Sequence, residues 1–398
     1  MQAGRLASLE RGCTLARTFF DNALAAADAG PSIQGRPVSL DTALDHGAAL
    51  LGKANAPLIA GLATDVNGVR AALALADRCG AALDHLGGDA LFRNIRVVQE
   101  SGWFTTTLTE VRNRADLVVL AGSQHLTRFP RLVERVLHPA ERLFGNDSPR
   151  RLVLLGPWQA DALPGALAAM DPLVIPLALE QLVDAVGLLR GRIAGRPVNL
   201  AALGEALAPR LEELATLLQS ARYSVISWSA TELDIPHAEL TVLSLADLAK
   251  DLNKKTRSAA LPLAGSLADV TANQVCTWQL GYPLRSRLQR GYPEHDPLLN
   301  RWQDLLARGE ADLLLWIAAL SPDNLPPAAD CPSIVLGHPG MAFATPPELF
   351  IPVGVPGVDH PGHWYRSDAV CPLPLGRLRE TGLPASGEIL NRLNDKLR

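Results

Sequence analysis

Nine histidines and five cysteines are the side chains here best suited to hold a metal or move a proton. The cysteines stand at 13, 79, 276, 331 and 371. No two have the Cys-x-x-Cys spacing of zinc, iron–sulfur or thioredoxin chemistry. An odd number of scattered thiols argues against a disulfide framework and for a reducing compartment. The closest histidine pair is in Asp359-His360-Pro361-Gly362-His363. A Pro-Gly turn can bring two imidazoles together and Asp359 could orient one, but a metal needs a further ligand. The same residues also fit a surface turn. His125 follows the apolar run 117–120, where α/β proteins place ligands, and it also fits a solvated loop. Lys254, Lys255 and Arg257 could meet an acidic partner or an anionic, polyglutamate-like tail, or form a solvated face. Trp278, Tyr282, Tyr292 and Trp302 lie close in sequence and fit a domain core better than a partner surface.

The common catalytic signatures are missing. There is no Gly-x-Gly-x-x-Gly after a strand, no P-loop, no Gly-x-Ser-x-Gly elbow and no His-Glu-x-x-His. Residue chemistry alone therefore yields no nucleophile–base pair and no ligand cluster.

The elements that must position these residues alternate between short apolar runs and helical stretches. Runs at 57–62, 117–120, 151–155 and 173–177 are nearly continuous in apolar residues, as parallel strands buried on both faces require. A second series runs through 223–228, 240–243, 311–317, 333–336 and 348–353. Between 64 and 80, Val69, Ala72, Leu73, Ala76 and Cys79 mark one helical face, with Thr64 or Asp65 as cap and Gly80 as stop. A short helix is expected from Ser244 to near Asn253. One internal echo stands out: Arg114-Ala115-Asp116 precedes one apolar strand as Glu310-Ala311-Asp312 precedes another. The pattern predicts an α/β fold with two Rossmann-like parallel-sheet halves. The expected organisation is an N-terminal helical segment at 1–54, α/β domains at 55–215 and 216–360, and an extended segment at 361–398 in which residues 387–398 could form a terminal amphipathic helix.

Composition narrows the class. A chain of 398 residues predicts more than one domain and needs no disulfide or metal staple to bury a core. Hydrophobic residues at 48% and charged residues at 20% exclude a disordered, collagenous or coiled-coil chain. The net charge of -4 supplies no global field for nucleic acid. No stretch approaches the roughly 20 apolar residues of a membrane span. With no qualifying leader segment, a cytoplasmic location is expected.

Against that background, Asn273-Gln274-Val275-Cys276-Thr277-Trp278-Gln279-Leu280-Gly281-Tyr282-Pro283, followed by Arg290-Gly291-Tyr292-Pro293, resembles the B subunit of formylmethanofuran dehydrogenase. Residues 102–121 and His363-Trp364-Tyr365-Arg366-Ser367-Asp368 are similar to further segments of that family. The resemblance implies the central-domain fold of the molybdopterin oxidoreductases. It also implies family-motif roles, structural or at an interface, for Asn273, Gln274, Trp278, Tyr282, Tyr292, Tyr365 and Arg366.

The departures are as informative as the matches. The family carries an N-terminal iron–sulfur cluster, whereas residues 1–50 here hold only Cys13. Ala90 and Leu91 stand where the family's Cys-His pair is expected, and Ala264 where its arginine is expected. None of these side chains can coordinate a metal or transfer a proton. The chain is therefore most similar to the branch found in the bacterial formyltransferase/hydrolase complex of methylotrophic one-carbon metabolism. That implies a non-catalytic structural subunit without pterin or iron–sulfur cluster. Its partners would be an amidohydrolase-like subunit, a formyltransferase and a C subunit, which convert formyl-tetrahydromethanopterin to formate through a methanofuran-like carrier. Two alternatives stay open: a catalytic, pterin-dependent dehydrogenase subunit using Cys79 or Cys276, and a stand-alone small-molecule-binding α/β protein.

Overall fold

The computed structural model describes residues 6, 8–25, 29–144, 149–264 and 267–397. The chain divides into two compact units. The first comprises Met1–Gly88 and Gly265–Arg398, and the second, inserted within it, comprises Asp89–Ala264. Among the described residues, no helix is long and apolar enough to cross a membrane.

The inserted unit is built on five parallel strands: Leu117–Ala121, Arg151–Gly156, Leu173–Pro176, Tyr223–Trp228 and Arg257–Pro262. Numbered along the chain, they lie in the order 3-2-1-4-5. Both faces are buried, which explains the lack of apolar–polar alternation. Leu117, Val119 and Ala121 pack into one core, against the helices Leu182–Ile193, Ala208–Ser220 and Ala238–Leu252, while Val118 and Leu120 pack into another. The buried Arg150 guanidinium ties segments of this unit together. It donates to the carbonyls of Ala115 at 2.9 Å, Val111 at 2.6 Å and Val136 at 2.5 Å.

The first unit holds a nine-stranded sheet. Its parallel strands are Pro57–Ala63, Ala82–Leu83, Leu313–Ala318, Ser333–Gly337 and Leu349–Pro352, which lie in the order 2-1-3-4-5. The short strands Ser286–Arg287 and Glu294–His295 extend one edge, and Ser32–Ile33 and Arg36–Pro37 the other, all antiparallel. The helix Val66–Cys79 connects the first two parallel strands. Asp65 caps it by accepting from the Gly68 amide at 3.0 Å, and Gly80 ends it in the left-handed region at φ 71°.

The internal echo has a physical basis. Asp116 accepts the amides of Arg222 (3.0 Å) and Tyr223 (2.8 Å), where the neighbouring strand begins. Asp312 accepts those of Asn55 (2.7 Å) and Ala56 (3.0 Å) in the same way. Each carboxylate sets the register of a parallel pair, one in each sheet. The echo is a local device, since Leu117–Ala121 is the first strand of its sheet and Leu313–Ala318 the third parallel strand of its own.

The structure departs from several expectations. The boundaries 55–215 and 216–360 do not match the units, because Pro57–Ala63 pairs with Leu313–Ala318 while Leu117–Ala121 pairs with Tyr223–Trp228. Local periodicity reveals strands but not which distant strands pair. The 1–54 segment is not separate, since its helix Leu40–Lys53 and its short strands belong to the first unit. The segment from 361 is not simply extended, since it forms the hairpin Gly362–Tyr365 with Pro372–Leu375, while the helix Ser386–Lys396 lies where a terminal amphipathic helix is expected. Residues 240–243 lie in the helix Ala238–Leu252, which also begins before Ser244. So short an apolar run does not distinguish a strand from a buried helix. The strand Arg257–Pro262 was hidden behind the basic cluster that precedes it.

Candidate functional site

Ligands of open α/β sheets bind beyond the carboxyl ends of the strands, where the strand order reverses. In the inserted unit that point lies between Leu117–Ala121 and Tyr223–Trp228. The loop leaving the first strand is Gly122-Ser123-Gln124-His125, and Glu232 arrives from beyond the other. Glu232 Oε1 accepts the Ser123 amide at 2.7 Å and the Ser123 hydroxyl at 2.9 Å, and Oε2 accepts the Gln124 amide at 2.9 Å. Gly122, at φ +100°, is required twice over: its backbone lies in the left-handed half of conformational space, and a Cβ there would collide with the Glu232 carboxylate. The loop is braced from behind by Trp158 Nε1, which donates to the Gly122 carbonyl at 2.8 Å.

His125 is fully buried, not in a solvated loop. Its ring lies near the peptide groups of Gly122 and Ser227 but forms no well-aligned hydrogen bond. Burial pushes its pKa down to about 4, partly opposed by the Glu232 charge, so the ring is neutral at physiological pH.

In the first unit the order reverses between Pro57–Ala63 and Leu313–Ala318. A bulge distorts this pair near its carboxyl end, at Gly61 (φ +83°), where a Cβ would sit 2.6 Å from the Ile317 carbonyl oxygen. Just beyond, Thr64 Oγ1 pairs with Ser386 Oγ at 2.5 Å, and a Cβ on Gly362 would lie 2.7 Å from Asp65 Oδ2. The chain's own C-terminal segment thus packs on this strand end. Two buried histidines follow the strands on either side of this pair, Ala82–Leu83 and Ser333–Gly337. His85 Nδ1 accepts the Gly87 amide (2.9 Å) and its Nε2 donates to the Leu267 carbonyl (3.0 Å). His338 Nδ1 accepts the Gly340 amide at 3.0 Å. Burial holds both near pKa 4.

The motif residues are structural ties or surface groups of the first unit. Asn273 Oδ1 accepts the Leu284 amide at 3.3 Å, linking the helix Asp269–Leu280 to the chain entering the sheet edge. Gln274 lies on the same helix, partly buried. At that edge Arg285, at φ 60°, forms a buried ion pair with Asp84 at 3.2 Å, and Asp84 also accepts the amides of His85 (2.8 Å) and Trp302 (3.1 Å). The Tyr365 amide donates to Thr271 Oγ1 at 2.9 Å, and Arg366 pairs with Asp368 at 2.6 Å. Trp278, Tyr282 and Tyr292 are 55%, 47% and 52% exposed. The expectation of an aromatic core holds only for Trp302, which packs edge-to-face on Trp316. Leu298 and Leu299 are also exposed, so the segment 278–299 presents several large apolar side chains at the surface.

Ala90 and Leu91 fall in the first turn of the helix Gly88–Glu100, and Ala264 follows the strand Arg257–Pro262. The Asp359 turn gathers no metal ligands: Asp359 binds Arg379 at 2.6 Å, the His360 ring nitrogens face the carbonyls of Pro361 and Gly354, and His363 is exposed. Among the described residues, no group of three or more His, Cys, Asp or Glu could hold a metal. Lys254 is tied to Asp251 at 2.8 Å and Arg257 to Glu110 at 2.6 Å. Sequence reasoning missed Glu232 and the Asp84–Arg285 pair. The signal for Glu232 is a carboxylate shortly after a strand end, facing a Gly-Ser loop at another.

No family model matches the chain. A curated relative does: the B subunit of the formyltransferase/hydrolase complex of Methylorubrum extorquens is 30% identical over 82% of this chain and 85% of its own length. The chain belongs to the family of formyltransferase/hydrolase complex B subunits. The family reaches into dehydrogenases, since the B subunit of tungsten-containing formylmethanofuran dehydrogenase 2 from Methanocaldococcus jannaschii is 28% identical over 91% of this chain and 84% of its own. Among solved structures, a chain of the formyltransferase/hydrolase complex of M. extorquens, crystallised with methylofuran, matches at TM-score 0.78 and 27% identity. The match covers 92% of this chain and 98% of that one. Acetylene hydratase from Pelobacter acetylenicus shares the fold alone, at TM-score 0.62 and 11% identity, over 95% of this chain and 63% of its own.

Burial pushes the thiol of Cys79 up to about 11 and that of Cys276 up to about 12, so both are protonated at neutral pH.

Proposed function

We propose that this chain is a non-catalytic, structural subunit of a formyltransferase/hydrolase complex that converts formyl-tetrahydromethanopterin to formate through a methanofuran-like carrier. The observation that carries this reading is the match to a chain crystallised within such a complex, which extends over 98% of that chain. The side chains support it. Ala90, Leu91 and Ala264 offer no donor or proton carrier at the positions assigned to the family's redox residues, and the buried thiols are protonated. The exposed side chains of Trp278, Tyr282 and Tyr292 fit a protein that buries surface against partners. In this reading the formyl transfer and the hydrolysis belong to other members of the assembly, a formyltransferase and an amidohydrolase-like protein, joined by a C subunit. The location that goes with it is the cytoplasm.

Tagged purification from the native host, with identification of co-eluting proteins, tests this. Recovery of a formyltransferase and an amidohydrolase-like protein is the expected result. Recovery of the chain alone, or bound only to redox proteins, contradicts it.

A further inference from the structure

We propose that a groove on the helical flank of the first unit is the seat of a basic, amphipathic segment of a partner protein. The groove has a volume of about 1020 Å³ and is open to solvent. Its floor is the helix Val66–Cys79, which leaves Arg70, Ala74 and Asp77 exposed at i, i+4 and i+7 along one side. One wall is the helix Ser386–Lys396, through Glu388 and Asn391. The other is the end of the helix Asp269–Leu280 together with Leu288, Tyr292 and Pro293. Both walls are packed tightly against the floor. A Cβ on Gly387 would lie 3.1 Å from the Asn67 carbonyl oxygen, and one on Gly80 would lie 3.0 Å from Gln289 Cα.

The groove offers two kinds of contact. The apolar wall carries Leu280, Leu288, Tyr292 and Pro293. Tyr292 and Pro293 belong to the motif that carries the family resemblance, yet Tyr292 is half exposed. The charged groups are Arg70, Asp77 and Glu388, all exposed and without an ion pair among the described residues. One helix shows the contrast. Arg392 and Lys396 pair with Asp41 at 2.8 Å and Asp45 at 2.6 Å, whereas Glu388, on the groove, has no such partner among the described residues. The helix cap Asp65 adds a further carboxylate at one end. Carboxylates therefore outnumber the single guanidinium, and the complementary occupant carries Lys or Arg beside apolar side chains. A second copy of this chain, at net charge -4, has no excess of positive charge to offer. A small ligand would be left largely in water by so open a site. This inference rests on the reading of the chain as a subunit of an assembly and names the chemistry of one of its contacts.

The test places the photo-cross-linker p-benzoylphenylalanine at position 391, on the rim, in the full chain expressed in its native host. After irradiation the tagged chain is purified and the cross-linked peptide is sequenced by mass spectrometry. An adduct with a different protein is expected, through a segment rich in Lys or Arg with interspersed apolar residues. Asp77→Lys combined with Glu388→Lys should lower the adduct yield by about tenfold or more, with the denaturation midpoint unchanged. Should that variant fail to fold, Asp77→Asn with Glu388→Gln replaces it, and a loss on the order of threefold is expected. The proposal is overturned by an adduct of the chain with itself, by an adduct through an acidic segment, by a yield that the charge variants leave unchanged, or by no protein adduct. Co-elution of a formyltransferase and an amidohydrolase-like protein without an adduct at position 391 would overturn the groove alone and leave the subunit reading standing. A basic-segment adduct on a chain that brings neither protein would support the groove and contradict that reading.

Discussion

The two parallel sheets close their switch points by different means. In the first unit the cover is distant in sequence and brings no charge of its own: Ser386 meets Thr64 and Gly362 packs on Asp65, so the C-terminal segment lies against the end of the first parallel strand. In the inserted unit the cover is a single carboxylate, Glu232, set into the loop it closes. The first is a packing solution, in which each contact contributes modestly. The second is electrostatic, with a few charge-assisted hydrogen bonds in a buried setting. Both place the chain's own atoms where a ligand of such a sheet would enter.

Breaking a charge should therefore cost more than breaking a packing contact, in either unit. The largest effect is expected at the buried Asp84–Arg285 pair, which fixes the sheet edge of the first unit. Arg285→Met leaves an uncompensated buried carboxylate and should destabilise the chain by about 3–5 kcal/mol in chemical denaturation. In the inserted unit, Gly122→Ala both strains a backbone at φ +100° and pushes the Glu232 carboxylate out, so a loss of about 2 kcal/mol is expected. The contrast is sharpened by Ser386→Ala, which removes one hydroxyl from the cover of the first unit. A loss of about 1 kcal/mol is expected there, and one as large as that of Gly122→Ala would place the two covers on an equal footing.

The smallest effect at neutral pH comes from the buried histidines, two in the first unit and one in the inserted unit. His85, His338 and His125 have folded pKa values near 4, below the ordinary value of 6.5. The unfolded chain binds their protons first as the pH falls. Their contribution is complete above about pH 6.5 and is lost progressively towards pH 4. Denaturant midpoints measured from pH 7 to pH 4 should fall, and His338→Asn should flatten that fall. A wild-type midpoint that holds steady across this window would contradict the burial argument.

How much of this was legible in the sequence depended on how local the signal was. Strands buried on both faces, such as Tyr223–Trp228, were visible because every residue points into a core. The repeated Ala-Asp before a strand was visible too, and it marks a real device, the Asp116 and Asp312 carboxylates that set strand register. Strand partnership was not legible. Nothing near Pro57 announces that its neighbour is Leu313, and the expected domain boundaries failed for that reason. At the site, the motif around Asn273 pointed to the family, but Trp278 and Tyr292 proved exposed because burial depends on what the rest of the chain leaves uncovered. For Glu232 the only local signal was a carboxylate shortly after a strand end; its role exists only once two strand ends are brought side by side.

The most direct test of the central claim, that this family member keeps the scaffold without redox chemistry, is elemental analysis of the intact assembly purified from its native host. The account predicts molybdenum and tungsten far below one atom per chain in an assembly that carries its partner proteins. One atom of either metal per chain would contradict it.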